Sequence, residues 1–318
     1  MEKEVIIKNI CPVIGMVSTG KSSFLNVLFN MDYLEVGPDV TTKIVTIIRY
    51  NTLVEKNPKF FQLTLNKVEN NNYAFYKKND TEVIGKEKIR DKIKKLNKEL
   101  NEKEPKFEEI FYMLEVGEVN FIEKEFLKNY DLADVPPVSL WINYQDSNKN
   151  NFWPQKPSIS EEALSLTVEE KAKNINIESE ISYLTQIFKI LKNKMNNGIF
   201  VFSVGGYQLI ENYEIIAKLK LVLNKPIENF LLLLNKMDKS EDINEDLKKL
   251  NERLVEEFPN GEFNITRNTI IPCCSFQLEN ELKMDKEFNN LIYYHYINYI
   301  MNPKDYSSFI DYFKKFIK

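Results

Sequence analysis

One stretch, GMVSTGKSS from Gly15 to Ser23, restricts what this chain can fold into more than any other. Gly15, Gly20, Lys21 and Ser22 satisfy GxxxxGK[ST]. In such a loop backbone N–H groups turn inward around phosphates, the lysine reaches the β/γ oxygens and the serine holds Mg²⁺. The predicted cradle is the run Ser18, Thr19, Gly20, Lys21, Ser22 and Ser23, entered through Gly15. Apolar Val13 and Ile14 precede it, and Phe24, Leu25, Val27 and Leu28 follow at helical spacing, so the context is strand, loop, helix. An anion at the start of that helix gains from unpaired amides and from the macrodipole together. A chance match in a turn is the bland alternative, and the flanking elements argue against it.

The chain has 318 residues, enough for a large α/β core. With 28% charged residues and a net charge of -4, nothing in its balance points to nucleic acid. Cys11 stands alone and Cys273 and Cys274 are adjacent, which is neither a disulfide framework nor a metal-ligand spacing. A reducing, cytoplasmic compartment is expected. MEKEVIIKNI is too acidic, and its apolar run too short, for a signal peptide, and no apolar run reaches bilayer length. Contact with a membrane would then be peripheral and would need a local basic patch.

Strand signals fall at residues 5–14, 45–50, 61–65, 111–116, 119–122, 199–204, 230–234 and 270–271, and Asp134 ends the apolar approach Leu132–Ala133. Pro12 is expected near a strand start or at an exposed edge, and the strands at 45–50 and 61–65 are expected to pair. Residues 66–85, rich in Asn and Lys, suggest a solvated excursion. From Lys86 to Glu104, Ile89, Ile93, Leu96 and Leu100 recur at helical intervals among charges, predicting a surface helix with one narrow buried stripe. Ile181, Leu184, Ile187, Phe188 and Leu191 predict another helix. Strands separated by helices imply a three-layer, doubly wound, mostly parallel sheet of the P-loop NTPase class. A polar stretch at about 139–176 reads as an insertion, and residues 279–318 as a C-terminal helical appendage to a domain spanning 1–278.

The base is read elsewhere. NKMD, Asn235 to Asp238, follows the run FLLLL at the carboxyl end of a strand, where α/β ligands bind. Asp238 there can accept from both N1–H and the exocyclic amine of guanine, a donor pair adenine lacks, and such a site rejects a ligand without its partner groups. Asn235 and Lys236 complete the candidate guanine site. Cys273, Cys274 and Ser275, at the end of the next strand, are a weaker guess for backbone contacts to the base.

Together GMVSTGKSSFLN, DYLEVGPDVTT, DVPP and NKMD, in that order between residue 10 and about 275, resemble the GTPase domain of the dynamin superfamily. The resemblance implies GTP and GDP as ligands with Mg²⁺ held by Ser22 and Thr42, and reached through water by Asp134. Thr42 falls at the switch threonine of that family, with Thr41 the alternative. Ser18, Lys21 and Thr42 then serve catalysis. Ser18 and Gly37 match positions that help to place a charge-compensating K⁺ or Na⁺. The family also implies a homodimer across the nucleotide face, and leaves a membrane-associated or protein partner unidentified.

Two positions depart from the family. Where it has DxPG, this chain has Asp134, Val135, Pro136 and Pro137, and proline has no N–H to give a γ-phosphate. Losing one preorganised donor costs roughly 10²–10³ in rate. Val17 occupies the place of a water-orienting glutamine. The four arginines, Arg49, Arg90, Arg253 and Arg267, lie outside the phosphate loop and the first switch, where Lys43 is the nearest cation. His295, the sole histidine, sits far from every motif. A slow GTPase and a GTP-binding interaction module that hydrolyses almost nothing are the two readings this leaves; NKMD opposes an adenine-specific kinase.

Overall fold

Apolar runs without alternation, such as FLLLLN at Phe230–Asn235, fold as strands only where both faces are covered. The computed structural model describes residues 2–37, 42–54, 57–68, 72–102, 109–119, 126–137, 183–195, 198–207, 212–213, 216, 230–236, 239–258 and 270–272. The expected insertion at 139–176, the appendage from 279, Thr41, Asp238, Arg267, Cys273, Cys274, Ser275 and His295 lie outside these, as does most of the strand expected at 119–122.

In chain order the elements are β1 (Lys3–Glu4), β2 (Asn9–Ile14), α1 (Lys21–Leu28), β3 (Val45–Tyr50), β4 (Lys59–Lys67), β5 (Tyr73–Lys77), β6 (Val83–Ile84) and α2 (Lys86–Glu102). There follow β7 (Phe111–Val116), β8 (Tyr130–Asp134), α3 (Tyr183–Leu191), β9 (Gly198–Ser203), β10 (Phe230–Asn235), α4 (Ile243–Glu257) and β11 (Ile270–Pro272). The strands form one mixed sheet in the order β1-β5-β4-β7-β3-β8-β2-β9-β10-β11, with β6 on β4. β8, β2, β9, β10 and β11 are mutually parallel; β3 is antiparallel to β8 and parallel to β7.

Alternate residues of these strands feed two cores. Ile10, Ile14, Phe200, Phe202, Leu232 and Leu234 face one side, where α3 brings Ile187, Phe188 and Leu191 and α4 brings Leu250 and Leu254. Cys11, Val13, Ile199, Val201 and Leu233 face the other, covered by Phe24, Leu25 and Leu28 of α1 and Ile89 and Ile93 of α2. Helices on both faces of a largely parallel sheet make the predicted three-layer α/β fold. The chain leaves β2 toward β3, returns to pair β8 beside β2, and then crosses to β9 on the other side. The crevice at the carboxyl ends of β8, β2 and β9 is therefore a topological switch point.

Several expectations are corrected. The first strand is shorter, Asn9–Ile14 with a separate edge strand at Lys3–Glu4. Pro12 sits in the middle of a central, buried strand. The N–H of Asn9 points to the β8 side, bonding the Asn129 carbonyl, and that of Ile10 to the β9 side, bonding Lys194. By that alternation the missing donor of Pro12 faces β9, whose regular pairing with β2 begins one residue later, at Val13↔Ile199. The proline costs little because it stands just before the ladder starts. β3 and β4 do not pair; β7 lies between them. The solvated excursion at 66–85 contains β5, a hairpin partner of β4, with Phe75 buried at its centre.

At the strand ends opposite the crevice, Asp131 is fully buried and receives the Arg49 guanidinium through Nε at 3.0 Å and through Nη2, together with the Lys8 amide at 3.2 Å. Arg49 also donates to the Ile6 carbonyl at 2.8 Å. Removing one partner of a buried pair strands the other charge. Arg49→Met should therefore lower unfolding free energy in urea by about 3–5 kcal/mol at neutral pH, with the unfolding slope unchanged.

Candidate nucleotide site

The phosphate loop follows β2 directly. A Cβ at Gly15 would press into the Val201 carbonyl of β9, and one at Gly20, where φ is 90°, into the Asn235 carboxamide. Both glycines are thus required by close approach, the second also by its left-handed backbone. Ser18 is left-handed too, at φ 57°. The buried Thr19 hydroxyl donates to the Met16 carbonyl at 3.0 Å, and Asn235 Nδ2 donates to the Thr19 carbonyl at 2.8 Å. Asn235 is itself buried at the end of β10, so the start of the NKMD stretch and the phosphate loop are joined by a side chain. Lys236, the next residue, takes a left-handed φ of 64°.

α1 starts at Lys21 with Gly20 as its cap, and among the described residues no side-chain cap bonds its first amides. It ends through Asn30 at φ 47°, with Met31 N–H on the Asn26 carbonyl and Asn30 N–H on that of Val27, a Schellman closure. Ser23 is half-buried on this helix. Lys21 is buried, and its Nζ reaches back across the loop to the Met16 carbonyl at 2.9 Å. Burial pulls its pKa down to about 8, partly opposed by the Asp134 charge.

Ser22, Thr42 and Asp134 converge from three elements. Ser22 Oγ donates to Asp134 Oδ2 at 2.9 Å and lies 3.1 Å from Thr42 Oγ1. All three side chains are buried, and among the described residues Asp134 Oδ1 has no hydrogen-bond partner. Burial raises the Asp134 carboxyl to about 6, against the pull of Lys21 and of hydrogen bonds from Ser22 and Thr42. An orphaned carboxylate oxygen beside two hydroxyls is an oxygen-only donor set of the kind a hard divalent cation takes. These residues therefore fit Mg²⁺.

Among the other predicted positions, Gly37 and Val17 are half-buried and Pro137 is buried immediately after β8. The described arginines are engaged away from the loop: Arg49 with Asp131, Arg90 with Asp32, and Arg253 with Glu256 and Glu257. Two asparagines escape a reading by motif. Asn26 of α1 bonds both the N–H and the carbonyl of Leu34, at 3.1 and 2.9 Å. Asn97 of α2 accepts from the Lys43 N–H at 2.9 Å and donates to Glu35 at 3.2 Å. The available signal for Asn97 was its place in the four-residue row after Ile89 and Ile93.

A doubly wound sheet with a phosphate loop at its switch point defines a nucleotide-binding domain of the P-loop class. A model of the dynamin family matches residues 12–171, half of the chain, and the chain belongs to that family. Among solved structures, two of an oligomerised bacterial dynamin pair, described as sensing and tethering membranes, are 16% and 15% identical over 98% of this chain, with TM-scores of 0.43 and 0.44. The chain spans 36% of their length. Aquifex aeolicus Era bound to GDP and aluminium fluoride matches at 14% identity over 89% of this chain and 56% of its own, with a TM-score of 0.36. No curated protein matches.

The Asp134 carboxyl has a higher pKa folded than unfolded, so folding takes up a proton between about pH 4 and pH 6 and this contribution to stability falls as pH rises through that window. Asp134→Asn removes the titration while still accepting from Ser22. In nucleotide-free protein with EDTA, the melting temperature of the variant relative to the parent should climb from pH 4 to pH 6.5. A constant difference across that range would contradict the burial of an unpaired carboxylate.

Proposed function

We propose that the chain binds GTP with Mg²⁺ and hydrolyses it slowly to GDP, aided by a second copy across the nucleotide face. The observation carrying this reading is the enclosure of Ser22, Thr42 and the orphaned Asp134 oxygen beside Lys21, at the mouth of a phosphate loop. When bound, Mg²⁺ would neutralise developing phosphate charge, with Ser22 and Thr42 as ligands and Asp134 acting through water. Lys21 would move from the Met16 carbonyl onto the β/γ oxygens. The amides from Ser18 to Ser23 would hold the phosphates, while Asn235, Lys236 and Asp238 select guanine. Ser18, in its left-handed turn, and Gly37 are the candidate ligands of a K⁺ or Na⁺ ion. The boundary between a GTPase domain at 1–278 and helices beyond it is part of this proposal, as are a cytoplasmic location and peripheral contact with a membrane.

The second reading is a GTP-binding interaction module with almost no turnover. Pro137 favours it: buried three residues after Asp134 and lacking an N–H, it cannot offer the γ-phosphate the donor that the family's glycine supplies. Val17 adds to this, since an aliphatic chain cannot orient water. Multiple-turnover GTP hydrolysis with and without K⁺, across a range of protein concentrations, separates the readings. Turnover that rises with K⁺ and with concentration supports the dimeric GTPase; a flat, near-zero rate with retained GTP binding supports the module.

Lys21→Ala should abolish measurable binding of fluorescent GTP, because it removes the buried charge facing the phosphates; unaltered affinity would reject the phosphate-loop assignment. Pro137→Gly should raise turnover, since glycine restores the donor and the freedom to close. A gain of about 1–3 kcal/mol in that contact corresponds to roughly 5- to 150-fold. Glycine also loosens the chain by about 0.4–1 kcal/mol, so the melting temperature must be followed in the same preparation. A well-folded variant with neither faster turnover nor better discrimination of GTP from GDP would remove Asp134–Pro137 as the second switch.

A further inference from the structure

α2 does not belong to the phosphate-binding core; it is inserted between β6 and β7, yet it grips the segment that carries Thr42. Its inward face is apolar at Ile89 and Ile93, and the next residue in that row is Asn97, 3% exposed. A buried carboxamide is costly unless both its ends are paired. Here both pairs go to one loop. Oδ1 takes the N–H of Lys43, the residue after Thr42, and Nδ2 gives to the Glu35 carboxylate, two residues before Gly37. Arg90, two turns earlier on α2, meets Asp32 at the root of the same loop at 2.8 Å. α1 holds Leu34 through Asn26. The loop is thereby fastened at its entry and its exit, and the exit fastening is adjacent to the hydroxyl that meets Ser22.

We propose that Asn97 is a positioning residue for the first switch: it joins Glu35 to Lys43, sets the height of Thr42 over Ser22, and so governs how firmly Mg²⁺ and nucleotide are retained. This rests on the nucleotide reading above. Leucine matches the side chain in size and would extend the Ile89–Ile93 row, so Asn97→Leu removes two hydrogen bonds without opening a large cavity. Asn97→Asp keeps the acceptor for Lys43 but sets a carboxylate against Glu35. Adding Glu35→Gln to it restores a donor–acceptor pair in the reversed sense.

The test is the release rate of fluorescent GDP from the full chain, measured by stopped flow in Mg²⁺ and again in EDTA. Asn97→Leu and Asn97→Asp should release GDP roughly tenfold faster in Mg²⁺ and at the parental rate in EDTA, because the loop acts through Thr42 and the cation. Asn97→Asp/Glu35→Gln should return to the parental rate in Mg²⁺. Glu35→Ala, which leaves α2 packing untouched, should accelerate release in the same Mg²⁺-dependent way and serves if the α2 variants do not fold. Unchanged release in Mg²⁺, equal acceleration with and without the cation, or no recovery in the double variant overturns the proposal. Failure of the parent chain to bind GDP or GTP, or binding that survives Lys21→Ala, would instead overturn the nucleotide reading beneath it.

Discussion

A lysine and an aspartate enclosed together at the carboxyl edge of the sheet set the conditions for the rest of this structure. Each loses several kcal/mol of hydration when buried, and their mutual attraction repays only part of it. The opposite shifts of Lys21 and Asp134 record that shortfall. The fold sustains them because the surrounding sheet is covered on both faces by two continuous cores. In the proposed reading, what they lack would be supplied by ligand: phosphate oxygens for the ammonium, a hard cation for the carboxylate. A stable scaffold holding an unsatisfied site is what a nucleotide-dependent protein requires, since binding energy can then be spent on rearranging the loops around it.

Much of the scaffold was legible because its signals are local. β2, the phosphate loop and α1 announce themselves by motif and spacing, and β9 and β10 by apolar runs too short for helices. Asp134 was placed at a strand end by the residues before it. The misses were failures of long-range information. β5 is written as YAFYK between asparagines and lysines, and only Phe75 in it is buried, so its alternation is faint. The neighbour of β3 is β7, some sixty residues away, and no local pattern states that. Pro12 broke a rule about strands that holds residue by residue, because the rule cannot see where a neighbouring ladder begins. Asn26 and Asn97 look like solvated helix positions until the loop that packs on them is known.

In the proposed reading, the departures at Val17 and Pro137 would fall on groups that act during turnover, whereas Gly15, Lys21, Ser22, Thr42, Asp134 and Asn235, which the resemblance places at the nucleotide, are present and buried. A chain losing nucleotide binding altogether would have little reason to keep an orphaned buried carboxylate oxygen, which costs stability on its own. The pattern separates holding a nucleotide from consuming it.

The bond from Asn235 to the Thr19 carbonyl, made where Gly20 leaves no room for a side chain, has a geometric meaning of its own. It ties the end of β10 to the phosphate-loop turn, so that in the proposed reading the groups facing base and phosphates would be the two jaws of one caliper, with the span set by one carboxamide. A nucleotide whose sugar or linkage held base and phosphate at another separation would then satisfy one jaw only.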